Sequence, residues 1–154
     1  MSKSKAKVLV VPSDRVAARW QDFYWPNLAE GMMLKDVDFD LLSGNILAAI
    51  LRDDISVMSF WWIGEQGANI YAIGAFSITR DVVTGMRIMN IYGLVSCGHV
   101  KPVQIKAGIE ILKDFKKRRE VDRLVATVAN KEWADLLLRL EPGFKSIPTL
   151  ILEK

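Results

Sequence analysis

Two side chains in the sequence suggest a nucleophile and its base, the single cysteine and the single histidine. Cys97 and His99 stand close together, so a Cys-His nucleophile is possible only if these two side chains pair. A Ser-His-Asp hydrolase is possible only if His99 is its base. One cysteine and one histidine cannot supply a metal site built from several such ligands. The chemistries that remain are those run by carboxylates and those run by backbone groups around a bound cofactor.

The composition is that of a compact globular protein. The chain has 154 residues, of which 51% are apolar and 25% charged, and this predicts one domain spanning residues 1–154. A net charge of +3 is too small to make nucleic acid the default partner. A lone cysteine fits a reducing compartment, and no apolar run reaches the ~18 residues of a membrane span. We therefore expect a cytoplasmic protein that does not enter the membrane.

One stretch of the chain is strongly basic. The run from Lys113 to Arg119 contains five lysines and arginines. It could contact the phosphates of a nucleic acid, but a solvated helix end, where positive charge favours the helix dipole, is the preferred interpretation. We therefore do not expect nucleic acid as a partner.

The spacing of apolar residues predicts the element order β-α-α-β-β-β-α-β-α-β. Strands are predicted at 8–11, 56–63, 69–79, 86–95, 123–128 and 144–152, and helices from 13, at 39–51, from 102 and at 131–140. Ser13 or Asp14 is the predicted cap of the first helix, Pro26 its predicted break, and Asp38 the cap of the second helix.

The connections predict how the strands pair. Short turns join the strands at 56–63, 69–79 and 86–95, so these should form an antiparallel meander. The strand-helix-strand unit over 86–128 should be parallel, which makes the sheet mixed and the fold class α/β. Trp61 and Trp62 should point to opposite faces of the sheet, one into the core and the other toward a pocket or a dimer contact.

The last third of the chain resembles the GNAT N-acetyltransferase family. The strand Arg123–Val128 ends in Ala129 and Asn130, and a short helix then leads to Pro142, Gly143 and Phe144. In the family an Asn starts this helix and a Gly-Phe pair closes it. From Met89 onward the sequence looks most like small GNAT-like proteins encoded by bacteriophages. The resemblance implies a GNAT-like fold and an acetyl-CoA-dependent N-acetyltransferase, acting on a small-molecule or protein amine.

The resemblance also implies where the cofactor and the catalytic groups lie. The pantetheine arm would lie between residues 91–95 and 124–128, and the diphosphate at the start of the following helix. An amide near Tyr92 to Leu94 would polarise the thioester carbonyl. The candidate catalytic residues are Asn90, Tyr92 and His99. The implied cofactor-binding residues are Tyr92, Gly93, Leu94, Val95, Gly98, Val100, Lys101, Val103 and Asn130.

The sequence departs from the family pattern in two places. The phosphate loop at 98–103 keeps one glycine, adds the bulk of Val100 and Val103, and has Pro102, which lacks an N–H donor. The helix before Gly143 also lacks the tyrosine that commonly protonates the leaving thiolate. These departures leave a second hypothesis open, in which a GNAT-fold protein without catalysis acts by binding, in a virion or on a host protein. A homodimer is compatible with either hypothesis.

Overall fold

The computed structural model describes residues 5–32, 38–126 and 131–141, together with residues 143 and 145. Its elements in chain order are β1 (Lys5–Val11), α1 (Ser13–Ala18), a π-helical turn (Trp20–Tyr24), α2 (Trp25–Met32), α3 (Phe39–Leu51), β2 (Ser56–Gly64), β3 (Gly67–Arg80), β4 (Arg87–Ser96), α4 (Pro102–Arg118), β5 (Arg123–Ala126) and α5 (Lys131–Leu140). Asn130, residues 127–128 of the strand predicted at 123–128, and the strand predicted at 144–152 apart from Lys145 lie outside the described residues. In the described ranges, no helix is long and apolar enough to cross a membrane.

The five strands form one mixed sheet in the order β1-β2-β3-β4-β5. Pairs β1–β2, β2–β3 and β3–β4 are antiparallel, whereas β4 and β5 are parallel. Both the antiparallel meander and the mixed sheet are therefore confirmed. The parallel pair requires a crossover, and α4 supplies it.

Each face of the sheet is covered by its own helices. One core cluster joins α1, α2 and α3 to the sheet through buried side chains that include Val16, Leu28 and Ile73. The other joins α4 to the opposite face through Met89 and Phe115, among others. Trp61 and Trp62 lie on opposite faces, as predicted, and both are half-buried.

The first helical segment differs from its prediction. It begins after Pro12, with no side-chain cap from Ser13 or Asp14. Its irregularity lies at a π-helical turn, where the N–H groups of Phe23 and Tyr24 both donate to the Arg19 carbonyl at 3.1 Å. A tertiary bond lies at this turn, because the Trp20 indole donates to the buried Ser43 hydroxyl of α3 at 2.8 Å. The helix therefore deforms ahead of the proline that was predicted to break it.

The second helix agrees with its prediction. Helix α3 spans Phe39–Leu51, and the Asp38 side chain accepts hydrogen bonds from the N–H groups of Asp40 and Leu41. Ile46 and Ile50 are buried against the sheet side, which confirms the predicted apolar face.

Candidate functional site

A β-bulge interrupts β4 at the position where the sequence predicts the cofactor. Tyr92 pairs with Ala75 and Val95 with Ile73, so Gly93 and Leu94 together oppose the single residue Gly74. Gly93 has φ +60°, a left-handed conformation that suits glycine. A bulge of this kind bends its strand and re-aims the neighbouring groups.

Helix α2 packs directly on this bulge. A Cβ atom added to Gly93 would lie 2.8 Å from Met32 Cγ and 3.1 Å from the Leu28 carbonyl oxygen. From the other side, a Cβ on Gly31 would lie 3.0 Å from Val95 Cβ. Glycines on both elements therefore allow the close approach of α2 to β4. Sequence reasoning missed Gly31 and Gly74, although a glycine inside a strand, as at 74, is a known sign of a bulge.

The bulge begins two residues beyond the last described pair between β4 and β5, Ile91 with Ala126. The described parallel pairing runs from Ile88 with Arg123 to Ile91 with Ala126, and β4 continues to Ser96. The cofactor slot was predicted to begin between Ile91 and Leu124. That end of the prediction is wrong, because Leu124 to Ala126 are already paired with β4. The β4 edge facing β5 is without a described β5 partner only from Tyr92 onward.

The loop after β4 presents a limited set of backbone donors at the start of α4. Gly98 has φ +86°, and a Cβ there would meet nothing within 4 Å, so its backbone is accessible. The Lys101 N–H is already bonded to the Gln104 side chain at 2.9 Å, and Pro102 has no N–H. The Lys101 side chain is exposed. This loop therefore offers a point charge and a reduced backbone cradle for an anion.

The two predicted valines of the loop have different surroundings. Val100 is half-buried and packs against the core cluster beneath α4. Val103 is 57% exposed in the first turn of α4. Of the two, only Val103 adds its bulk to the accessible surface of the loop. Gln104, which sequence reasoning did not assign, was detectable as a Gln three residues after a helix cap.

The candidate side chains on β4 are held by residues of β3. The Tyr92 and Ser77 hydroxyls are 2.7 Å apart, and the Asn90 amide donates to the Thr79 hydroxyl at 3.3 Å. Asn90 and Tyr92 lie on the same sheet face, two residues apart on β4, and each is bonded to a β3 residue. Tyr92 is 37% exposed, so its side chain is partly open to solvent while its hydroxyl is held by Ser77.

The structure does not support a Cys-His nucleophile. Cys97 is half-buried against the first core cluster, and this burial raises the pKa of its thiol. A raised pKa disfavours the thiolate, which is the reactive form. His99 is exposed on the loop. Burial therefore makes Cys97 a packing residue.

The basic run lies at the C-terminal end of α4 and is partly paired. Lys113 contacts Glu141 at 3.0 Å, and this bond raises the pKa of Lys113. Arg118 contacts Asp114 at 2.9 Å. Lys116 and Lys117 lie in the last turn, where positive charge favours the helix dipole.

Comparison with solved structures shows which fold this arrangement represents. The chain is similar to a ribosomal-protein-alanine N-acetyltransferase from Brucella melitensis, with a TM-score of 0.63, 16% identity, and coverage of 97% of this chain and 99% of the other. It is also similar to a GNAT family acetyltransferase from Staphylococcus aureus, with a TM-score of 0.60, 12% identity and coverage of 97% and 98%. The fold is that of the GNAT N-acetyltransferases.

A third structure of the same fold is an aminoglycoside 6'-N-acetyltransferase from Acinetobacter baumannii, with a TM-score of 0.59, 13% identity and 97% coverage of both chains. No protein-family model matches the sequence, and no curated protein sequence matches it significantly. These GNAT-fold proteins are named for different acceptors, so the fold alone does not identify the acceptor of this chain.

Proposed function

We propose that the protein is an acetyl-CoA-dependent N-acetyltransferase that acts on an amine. The observation that carries the proposal is the bulge at Gly93 and Leu94, which lies just beyond the last described pair of β4 with β5 and precedes the N-terminus of α4. A strand edge of this kind can bind an extended, amide-containing arm as a neighbouring strand would. Beyond the bulge, the N-terminus of α4 favours binding of the cofactor phosphates, because its N–H groups and helix dipole attract negative charge.

The residues present fit this cofactor along β4 and fit it less fully at the loop. Tyr92, Gly93, Leu94 and Val95 would hold the pantetheine arm. Gly98, Val100, Lys101 and Val103 lie around the expected diphosphate position, and there the Lys101 side chain would replace part of the backbone cradle. Asn130 is a further implied contact outside the described residues.

The chemistry divides between the cofactor and the chain. When bound, acetyl-CoA supplies the acetyl group as a thioester. An amide in the stretch from Tyr92 to Leu94 would polarise the thioester carbonyl, as the donors of an oxyanion hole do. Tyr92 is the candidate acid in place of the tyrosine missing from α5, because the residue is partly exposed and its hydroxyl is held by Ser77. Its proton would go to the departing sulfur.

The other candidate residues have smaller parts in this proposal. Asn90 lies two residues before Tyr92 on β4, so both side chains are on the same sheet face. Asn90 would contact the acceptor amine or its surroundings. His99 is exposed on the loop and would contact a phosphate rather than the amine. The acceptor, whether small molecule or protein, a bacteriophage origin and a cytoplasmic location stay predictions.

One observation favours a second candidate function, a GNAT-fold binding protein that has lost catalysis. The Lys101 N–H already donates a hydrogen bond to the Gln104 side chain, and the next residue, Pro102, has no N–H to donate. Loss of both donors would weaken phosphate binding without disturbing the fold.

Thermal melting with acetyl-CoA separates the two functions. A ligand at about 100 times its dissociation constant stabilises the folded state by about 2.7 kcal/mol, which gives a measurable rise in melting temperature. We expect this rise with millimolar acetyl-CoA. The absence of any shift would refute the enzyme and favour the binding protein.

Release of free CoA thiol then tests catalysis. A panel of amines should include an N-terminal peptide, an amino sugar and an aminoglycoside. Tyr92→Phe should lower the rate about tenfold or more while keeping the shift in melting temperature with acetyl-CoA. Tyr71→Phe is the matched control, because it removes a hydroxyl buried on the other face of the sheet. Equal rates for Tyr92→Phe and the unaltered protein would exclude Tyr92 as the acid.

A further inference from the structure

Helix α3 carries an apolar stripe on the side that faces away from the core. At 100° per residue, the stripe occupies a sector of about 80°. Its members are Leu41, Gly44, Ala48 and Leu51. Leu41 is 63% exposed and Leu51 is 53% exposed, and a Cβ on Gly44 would meet nothing within 4 Å. Since the opposite side of α3 is already buried through Ile46 and Ile50, the helix is apolar on two sides.

A row of polar residues runs beside the stripe. Asp38, Asn45 and Arg52 follow one another at intervals of seven residues, so they lie along one line of the helix with a drift of about 20° per interval. All three are exposed. Their side chains are negative, neutral and positive in that order.

This row is complementary to itself when it is reversed. The cap of α3 uses only Oδ1 of Asp38. If a second copy of α3 runs antiparallel across the first, Asp38 Oδ2 of one protomer therefore meets Arg52 of its partner. Asn45 then meets Asn45 at the centre, where two amides can exchange hydrogen bonds. The pairing occurs twice, once on each side of the two-fold axis, as an isologous interface requires.

The apolar stripe has the same symmetry. Gly44 is three positions after Leu41, and Leu51 is likewise three positions after Ala48. Reversal therefore places Leu41 against Leu51 at both ends and Gly44 against Ala48 near the centre. The small residues at the centre allow the two helix backbones to approach closely. The row reverses about residue 45 and the stripe about residue 46, so the two indicated axes lie within one residue, about 1.5 Å, of each other along α3.

We propose that the protein forms a homodimer through antiparallel packing of α3 against α3 of a second copy. The occupant is a second copy because the order of charges on Asp38 and Arg52 is complementary to its own reverse. Arg52 is free to turn toward its partner, since its bond to Asp54 at 3.0 Å is an exposed one, and such bonds contribute little in water. The proposal goes beyond the acetyltransferase function and does not depend on it.

The expected affinity is modest. One pair of helices buries less surface than a standard stable interface, which buries about 1,200 Å² or more. We therefore expect a dissociation constant of about 1–100 µM. Sedimentation equilibrium from about 5 to about 500 µM should therefore show a monomer passing into a dimer. A monomer over the whole range would overturn the proposal.

Substitution within the stripe locates the interface. Ala48→Glu places two carboxylates near the axis and should shift dissociation at least tenfold, whereas Val83→Glu is the matched control at a hairpin position that is 89% exposed. Circular dichroism checks that each variant is folded. A dimer that Ala48→Glu leaves intact, or that Val83→Glu weakens equally, would overturn the assignment to α3.

Disulfide trapping provides a second test that does not rely on loss of association. In a Cys97→Ser background, Asn45→Cys places two thiols at the axis, and mild oxidation should give a covalent dimer. Thr84→Cys, on the exposed β3–β4 turn, is the control and should stay monomeric at the same concentration. Failure of Asn45→Cys to cross-link, or equal cross-linking of both variants, would contradict the proposed axis.

Discussion

Gly93 offers a direct test of the bulge, because two separate effects oppose a side chain there. Its φ of +60° costs a residue with a Cβ about 1–2 kcal/mol. The added Cβ would also lie 3.1 Å from the Leu28 carbonyl oxygen, a backbone atom that cannot turn aside, and 2.8 Å from Met32 Cγ. Overpacking of this kind costs a further 1–3 kcal/mol, roughly.

Gly85 separates the two effects. Its φ is +75°, yet a Cβ there would meet nothing within 4 Å. Gly85→Ala should therefore lower the free energy of unfolding by about 1–2 kcal/mol, and Gly93→Ala by about 2–5 kcal/mol. The change in unfolded-chain entropy is the same for both and cancels in the difference.

Urea denaturation of the two variants measures this difference as a shift in midpoint at constant slope. We expect Gly93→Ala to unfold at a clearly lower urea concentration than Gly85→Ala. Equal losses would refute the close packing of α2 on the β4 bulge. A larger loss at Gly85 would contradict it further.

Three further changes have defined outcomes. The Tyr71 hydroxyl has no hydrogen-bond partner among the described residues, so Tyr71→Phe should raise stability by about 1 kcal/mol in thermal unfolding. Burial raises the pKa of Tyr71 to about 12, above the about 10 of an unfolded tyrosine, so stability should fall as pH rises from 10 to 12, and Tyr71→Phe should lack this loss. Ser43→Ala leaves the buried Trp20 N–H without its partner and should cost about 1–3 kcal/mol in urea denaturation, whereas a change within about 0.3 kcal/mol would contradict the bond. Gln104→Ala releases the Lys101 N–H and should tighten acetyl-CoA binding in calorimetry about two- to tenfold, and weaker binding would contradict the account of the loop.

Elements defined by local signals were predictable from the sequence. Asp38 and the spacing of Leu42, Ile46 and Ile50 define α3 correctly, because a cap and an apolar period both act within the segment. The meander and the parallel return of β5 follow from the lengths of the connections. The resemblance near Asn130 added the fold family, which the solved structures support.

Features that depend on contacts between distant segments were not predictable. The π-helical turn is associated with the bond from Trp20 to Ser43, which are 23 residues apart in sequence. The bond between Ser77 and Tyr92 depends on the register of β3 against β4, and the bulge shifts that register. A one-residue change of register reverses which face a side chain occupies, so these contacts require the folded sheet.

The proposed function depends on binding of acetyl-CoA along β4 from Tyr92 onward. Amide resonances of the ¹⁵N-labelled protein test this directly during titration with acetyl-CoA. The account predicts saturable shifts for residues 92–96 and for Gly98 to Val103, with α3 unaffected. An unchanged spectrum at millimolar acetyl-CoA, or shifts confined to other surfaces, would contradict it.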